Sequence, residues 1–290
     1  MDDVWLTAPA YALADGAARD RAIAAAAAVF APRRVVPSPL LDRHPGPGAW
    51  LPAADRLADL RCGLGHGVLA AARGGYGCLD LADAVLAHPG PWPRLVGYSD
   101  LTVLHAAFWC RGRRDGIYGF LAGVPHGAAA RASTRALLAG EAVRMDPYAA
   151  PQAAVLVPGR AEGPCFPACL RVLAGLAGTP LQPSLAGCVV LLEDIDERPY
   201  RMDRDLWQLH RSGMLDRIAG LAFGRFPAED PAGYAGPSAA AVAAAWAQRL
   251  GVPALFGLPF GHDPDPVGMP VGGRAVLAAD GPGWSLEAWP

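Results

Sequence analysis

Lysine is missing from this chain. All 25 residues counted as Lys+Arg are arginine, so no side chain carries a primary amine. That excludes a phosphate-gripping Walker lysine, a Schiff-base lysine and a serine–lysine dyad. Paired cysteines are missing too. Cys62, Cys78, Cys110, Cys165, Cys169 and Cys188 form no C-x-x-C, and no Cys/His interval suits zinc. The thiols are therefore expected to be free and mostly buried. No apolar run reaches the roughly 18 residues that a bilayer-crossing helix needs; the alanine-rich run Ala22–Ala31 is too short. Charge is scarce: charged residues make up 18%, the formal net charge is -2, and no window concentrates positive charge. This excludes a nucleic-acid footprint. The first residues, Met1-Asp2-Asp3-Val4-Trp5-Leu6, hold acids where a secretory signal holds bases. These absences predict a soluble, cytoplasmic protein with no membrane segment and no nucleic-acid partner.

What is present is apolar and patterned. Hydrophobic residues are 52% of 290, enough for a sizeable core. Strand-like runs at Val4–Ala8, Arg34–Val36, Val68–Ala72 and Leu95–Tyr98 alternate with helical stretches at Gly16–Phe30, Ala53–Cys62, Leu79–Leu86 and Asp100–Cys110. Strands alternating with helices predict parallel pairing in an α/β sheet. Around Asp146–Arg160 the pattern lapses into proline and alanine, which reads as a linker. Beyond it, helices are expected at Pro167–Ala177, Asp203–Ser212 and Ser238–Leu250. Strands are expected at Cys188–Leu192, Ile218–Phe223, Ala254–Phe256, Arg274–Leu277 and Trp284–Ala288. The division is 1–148 for a first domain, 149–161 for a linker and 162–290 for a second.

Three places could hold chemistry. Ser99 stands where a strand turns into a helix, behind Gly97, in Gly97-Tyr-Ser-Asp100. Such a turn lifts a side chain over the sheet edge, and free helix N–H groups beside it can receive an oxyanion. A plain helix cap is the alternative. Arg73-Gly-Gly-Tyr-Gly77 follows another apolar run; paired glycines let backbone approach a ligand, or merely make a turn. In the second half, Glu193 ends a strand, and His262 lies in the loop Gly257-Leu-Pro-Phe-Gly-His262. His105 falls on a helix and reads as structural, while His44, His66, His88, His126 and His210 read as incidental. With no lysine, histidine is the natural base for an alcohol near neutral pH. Serine, acid and histidine occur in the chain order Ser99, Glu193, His262.

Four stretches, Arg73–Gly77, Gly97–His105, Leu191–Leu209 and Gly257–His262, resemble the LD-carboxypeptidase family of serine peptidases in order and spacing. That family includes muramoyltetrapeptide carboxypeptidases and microcin C immunity peptidases. The resemblance implies an N-terminal parallel-sheet α/β domain and a C-terminal α/β domain with a mixed sheet. The active site would lie in the cleft between them, often in a homodimer. It implies Ser99 as nucleophile, Glu193 as orienting acid and His262 as base. The N–H groups of Gly75 (or its neighbour Gly74) and Asp100 would form the oxyanion hole. No metal or cofactor is implied, and the partner is a small peptide substrate. An exopeptidase must also read a terminal carboxylate, for which Arg73 and Arg204 adjoin the right motifs; each could equally serve a structural ion pair. Two stretches depart from the family. Tyr118-Gly119-Phe120 stands where many members have His-Gly-Pro, and Gly163-Pro164-Cys165 where many have Gly-Gly-Asn. Both bear on substrate more than on reaction. Cleavage of an L–D bond in a murein tetrapeptide is expected. Action on a peptidyl- or aminoacyl-nucleotide is the alternative, and a catalytically silent binding protein on the same fold is a third.

Overall fold

A computed structural model describes residues 3–46, 48–227, 233–280 and 283–290. In chain order the elements are β1 (Val4–Thr7), α1 (Gly16–Phe30), β2 (Val35–Pro37), α2 (Ala53–Gly63), β3 (Val68–Ala71), α3 (Ala82–Ala87), β4 (Arg94–Val96), α4 (Thr102–Cys110), β5 (Gly116–Tyr118), α5 (Ala128–Leu138), β6 (Val143–Met145), β7 (Ala154–Val157), β8 (Gly159–Cys169), α6 (Leu170–Gly175), β9 (Val189–Glu193), α7 (Pro199–Arg211), β10 (Gly220–Gly224), α8 (Ala239–Leu250), β11 (Ala254–Leu258), β12 (Met269–Val271), β13 (Arg274–Ala279) and β14 (Ser285–Ala288). Short 310 turns stand at Pro39–Asp42, Cys78–Leu81 and Ser99–Leu101.

These strands make two sheets. The first has the order β12-β5-β4-β3-β1-β2, with β1 to β5 parallel and β12 antiparallel on its edge. The second has the order β6-β14-β13-β8-β9-β10-β11-β7. Its strands β8 to β11 are parallel and the flanking strands antiparallel, so the sheet is mixed. The α/β class with one mainly parallel and one mixed sheet is as expected.

Local chemistry sets several boundaries. Asp15 caps α1 by accepting the Ala18 N–H at 2.7 Å, and alanine carries the helix onward. Ser238 caps α8 in the same way, and Gly251 ends it in the left-handed conformation.

Three expectations need correction. Residues 149–161 are not a bare linker: they supply β7 and the start of β8. Alanine and proline masked the short run Ala154–Val157, whose pairing with β11 is long-range. The stretch Pro167–Ala177 is not helical from its start, because β8 runs through Cys169 before α6 begins. Chain order also fails to separate the sheets, since β6 joins the second and β12 returns to the first.

The helix α4 joins the two halves. Thr102 through Trp109 are all buried, the sign of a helix covered on every side. Trp109 packs edge-on against Phe166 of β8 at 4.8 Å, and its Nε1 donates to the Ser184 carbonyl at 3.1 Å. The Cys169 N–H donates to Thr102 Oγ1 at 3.0 Å. One apolar core therefore runs from β3 and β4 through α4 to β9 and α7. It fixes the carboxyl end of β4 against the carboxyl end of β9. Ligand sites of open parallel sheets lie beyond such strand ends.

Candidate active site

Ser99 opens the 310 turn that follows β4, and it holds φ of 67°. For a residue with a Cβ this left-handed conformation costs about 1–2 kcal/mol. Gly97 makes the turn possible, because a Cβ there would come within 2.9 Å of Leu101 Cγ. Asp100, the second residue of the turn, lies among the N–H groups that a helix start leaves without an internal acceptor. Its buried carboxylate accepts the Cys78 N–H at 2.8 Å, which ties the glycine loop to the serine turn. Burial raises the Asp100 pKa against that hydrogen bond.

Glu193 is the last residue of β9 and is buried. Two glycines make its space. A Cβ on Gly224 would stand 2.8 Å from Glu193 Cβ, and one on Gly261 would stand 2.1 Å from its Cδ. Gly261, with φ of 72°, turns the chain so that His262 meets this carboxylate twice. Glu193 Oε2 accepts the His262 backbone N–H at 3.0 Å and lies 2.7 Å from ring Nδ1. With Nδ1 donating to the carboxylate, Nε2 of the neutral ring is an acceptor. It faces Ser99 Oγ at 3.1 Å. The edge of the Tyr98 ring packs on the imidazole at 5.2 Å. Burial acts to lower the His262 pKa, but the Glu193 charge and hydrogen bond outweigh it, and the net displacement is upward. Asp194 beside them is pushed up to about 7, first by burial and then by the Glu193 charge.

The structure thus brings Ser99, His262 and Glu193 into one line of hydrogen bonds. An alcohol, a base facing it and a buried acid behind the base can carry out nucleophilic acyl transfer. The glycine loop abuts the alcohol: a Cβ on Gly74 would lie 3.0 Å from Ser99 Oγ. Gly75, with φ of 120°, lies under the Tyr11 ring, and among the described residues its N–H has no acceptor. Arg73 is half-buried between β3 and this loop, with no carboxylate partner among the described residues. Arg204 is exposed on α7, its guanidinium 5.8 Å from the Tyr200 ring centroid, and among the described residues it forms no hydrogen bond or ion pair with the three. His105 is structural, as expected. It is buried, bonds the Gly97 carbonyl through Nε2 at 2.9 Å, and is pushed down to about 4 by burial.

One residue of the site was not singled out from the sequence as a candidate. Tyr118 ends β5 and is wholly buried. Its hydroxyl donates to Glu193 Oε1 at 2.5 Å and accepts the Ser99 N–H at 3.2 Å. Burial and the Glu193 charge both raise its pKa, so it stays a protonated donor. The signal available was its place at the departure from His-Gly-Pro. Ile117 pairs with Val96 across β5 and β4, so Tyr118 ends up beside the serine turn.

Residues 162–277 match the family described as LD-carboxypeptidase C-terminal domain. A protein of Streptomyces coelicolor named for an inferred carboxypeptidase activity is 37% identical over 239 residues, which are 78% of this chain and 74% of that protein. The murein tetrapeptide carboxypeptidase of Pseudomonas aeruginosa is 32% identical over 231 residues, 73% of this chain and 72% of its own. Among solved structures, the muramoyltetrapeptide carboxypeptidase of Oxalobacter formigenes superposes with a TM-score of 0.80 at 26% identity, covering 99% of both chains. The microcin C7 self-immunity protein in complex with aspartyl sulfamoyl adenosine has a TM-score of 0.78 at 17% identity over 100% of this chain and 96% of its own, which speaks to fold alone.

Proposed function

The chain belongs to the LD-carboxypeptidase family and is a serine-type carboxypeptidase; from that premise we propose that it hydrolyses an L–D peptide bond, releasing terminal D-alanine from a murein tetrapeptide. The observation that carries the reading is the hydrogen-bonded line Glu193–His262–Ser99. In the proposed reaction His262 Nε2 takes the Ser99 proton as Oγ attacks the scissile carbonyl. Glu193 holds the tautomer and stabilises the imidazolium that forms. The Gly75 and Asp100 N–H groups receive the oxyanion, each such donor typically lowering the barrier by about 3–4 kcal/mol. His262 then protonates the departing D-alanine amine, and water resolves the acyl-enzyme by the same route. Arg73 is the proposed reader of the terminal carboxylate, because it is half-buried beside the loop and has no acidic partner among the described residues. Arg204 has weaker support from its exposed, stacked position.

A second reading has one observation in its favour. Tyr11, Trp50 and Tyr76 form an aromatic group beside Gly74 and Gly75. Tyr11 and Trp50 are stacked at 5.9 Å, Tyr76 lies 5.3 Å from Trp50, and Trp50 and Tyr76 are about half exposed. Such a group suits the base of a peptidyl- or aminoacyl-nucleotide. Against it, an active-site mutant of the microcin C7 self-immunity protein replaces a serine, an asparagine and a lysine, and this chain has neither asparagine nor lysine. The murein reading is therefore preferred.

The test is incubation with muramoyl tetrapeptide and with an aminoacyl sulfamoyl adenosine. Release of D-alanine from the first, lost in Ser99→Ala, is expected. Cleavage of the adenosine conjugate alone would transfer the assignment to the second reading. We also propose a cytoplasmic homodimer; light scattering that returns a monomer mass removes the dimer. Among the described residues no helix is long and apolar enough to cross a membrane.

A further inference from the structure

A cavity of about 340 Å³ lies between α1, the start of α5 and the loop after β5. Phe120, Ala122 and Ala25 supply apolar wall. Arg21 of α1 and Arg131 of α5 line it, both exposed and neither paired with a carboxylate among the described residues. Arg131 does spend its Nε–H on the Gly127 carbonyl at 3.1 Å, which steadies the side chain and leaves its terminal nitrogens free. His126 completes the lining and is 8% exposed. Its Nε2 accepts the Leu121 N–H at 3.2 Å, so in the neutral ring the proton sits on Nδ1. That N–H has no partner among the described residues. Burial holds the ring neutral, with a pKa of about 4. Among the described residues no carboxylate, amide or hydroxyl side chain lines the cavity. Asp265, whose charge acts on His126, is engaged by the Ala129 and Ala130 N–H groups at 3.0 Å each. The cavity is thus furnished with donor side chains and, among the described residues, with no acidic side chain to match them.

We propose that this cavity is a binding site for a small anion, in which a carboxylate or phosphate sits between the Arg21 and Arg131 guanidiniums and receives the His126 Nδ1–H. It does not contain the Ser99–His262–Glu193 group, but it adjoins it. The Tyr98 ring touches both imidazoles, at 5.9 Å from His126 and 5.2 Å from His262. Those two steps laid end to end span at most about three residues of extended peptide, at about 3.3–3.6 Å each. The anion therefore has two possible sources: a carboxylate of the bound peptide remote from the scissile bond, or a free small anion. The first source rests on the reaction proposed above; the second does not.

The experiment uses the full chain and an Arg21→Gln/Arg131→Gln double variant, with unchanged thermal unfolding as the check on folding. Calorimetry with inorganic phosphate and with N-acetylglutamate reads the site directly. Removing charge-assisted bonds should weaken binding of either probe roughly ten- to a hundredfold. A parallel rise in KM for muramoyl tetrapeptide at unchanged kcat, absent when the remote carboxylates are amidated, identifies the peptide as the source. Weakened probe binding with unchanged KM, or in a chain that does not cleave the tetrapeptide, identifies a free anion. Probe binding that the double variant leaves intact overturns the proposal. So does failure of both probes to bind when KM is unaltered or no turnover occurs.

Discussion

Glu193 holds His262 by two bonds to one oxygen: Oε2 accepts the backbone N–H at 3.0 Å and lies 2.7 Å from ring Nδ1. The pair fixes the imidazole in position and in tautomer. Glu193→Gln keeps the shape but can present an amide N–H to the ring, which favours the wrong tautomer. In the serine–histidine–aspartate template that change costs about 10⁴ in kcat, and a loss of about 10³–10⁴ in D-alanine release is expected here. A near-wild-type rate in this variant would remove Glu193 from the mechanism.

The pH profile follows from the same pair. The His262 pKa is displaced upward because the Glu193 charge outweighs burial. The base must be neutral to act, so kcat/KM should fall as pH drops through an apparent pKa above the ordinary histidine value of about 6.5. In Glu193→Gln burial acts with its main opponent gone. The residual activity should then lose its acid limb at a lower pH than wild type. A limb that stays put or moves up would contradict the cause assigned to the shift.

Tyr118 couples the acid to the nucleophile's backbone, donating to Glu193 Oε1 and accepting from Ser99 N–H. Tyr118→Phe leaves both groups short of a buried partner. Each such loss typically costs about 1–3 kcal/mol, so unfolding free energy should drop by at least about 1 kcal/mol. As a positioning residue, Tyr118 should affect kcat, by about tenfold, with KM little changed. A stability loss with kcat intact would confine it to the core.

Much of this site could be read along the chain. Ser99 and His262 follow short apolar strands and Glu193 ends one, and that local pattern is what lifts them to sheet edges. Long-range pairing hid the rest. β12 returns to the first sheet by pairing Met269–Val271 with Gly116–Tyr118, and nothing near either segment announces the other. The helix α5 is hard to read from the sequence because alanine, serine and threonine blur its apolar face, although Ser133, Thr134 and Leu137 are buried. Tyr118 read only as a departure from a motif, because its partners are 19 and 75 residues away. His126 reads as incidental in a glycine- and proline-rich stretch; its burial, and an Nδ1 with no partner among the described residues, are properties of the folded loop.

Backbone strain at Ser99 gives a test that separates geometry from chemistry. Ser99→Ala and Ser99→Gly both remove the hydroxyl, so both should abolish turnover. They differ at φ of 67°, where alanine keeps a penalty of about 1–2 kcal/mol and glycine does not. Glycine's extra freedom in the unfolded chain returns about 0.5–1 kcal/mol of that advantage. Ser99→Gly should therefore be the more stable of the two by up to about 1.5 kcal/mol in denaturant unfolding. If Ser99→Ala proves the more stable, the left-handed turn is not how this chain raises its nucleophile.

Gly74 makes the steric counterpart. An added Cβ would stand 2.8 Å from Ser99 Cβ and 3.0 Å from Oγ, closer than side chains tolerate, and Ser99 cannot retreat easily from a turn held by the Tyr118 hydroxyl. Gly74→Ala should move the alcohol off His262 by a fraction of an ångström to an ångström. Misplacement on that scale costs about 10²-fold in rate. Active-site titration with a serine-directed fluorophosphonate should slow in step, while exposure and unfolding of the rest of the chain change little. If Gly74→Ala labels and turns over like wild type, the loop does not pack on the nucleophile, and the oxyanion hole assigned beside it must be sought elsewhere.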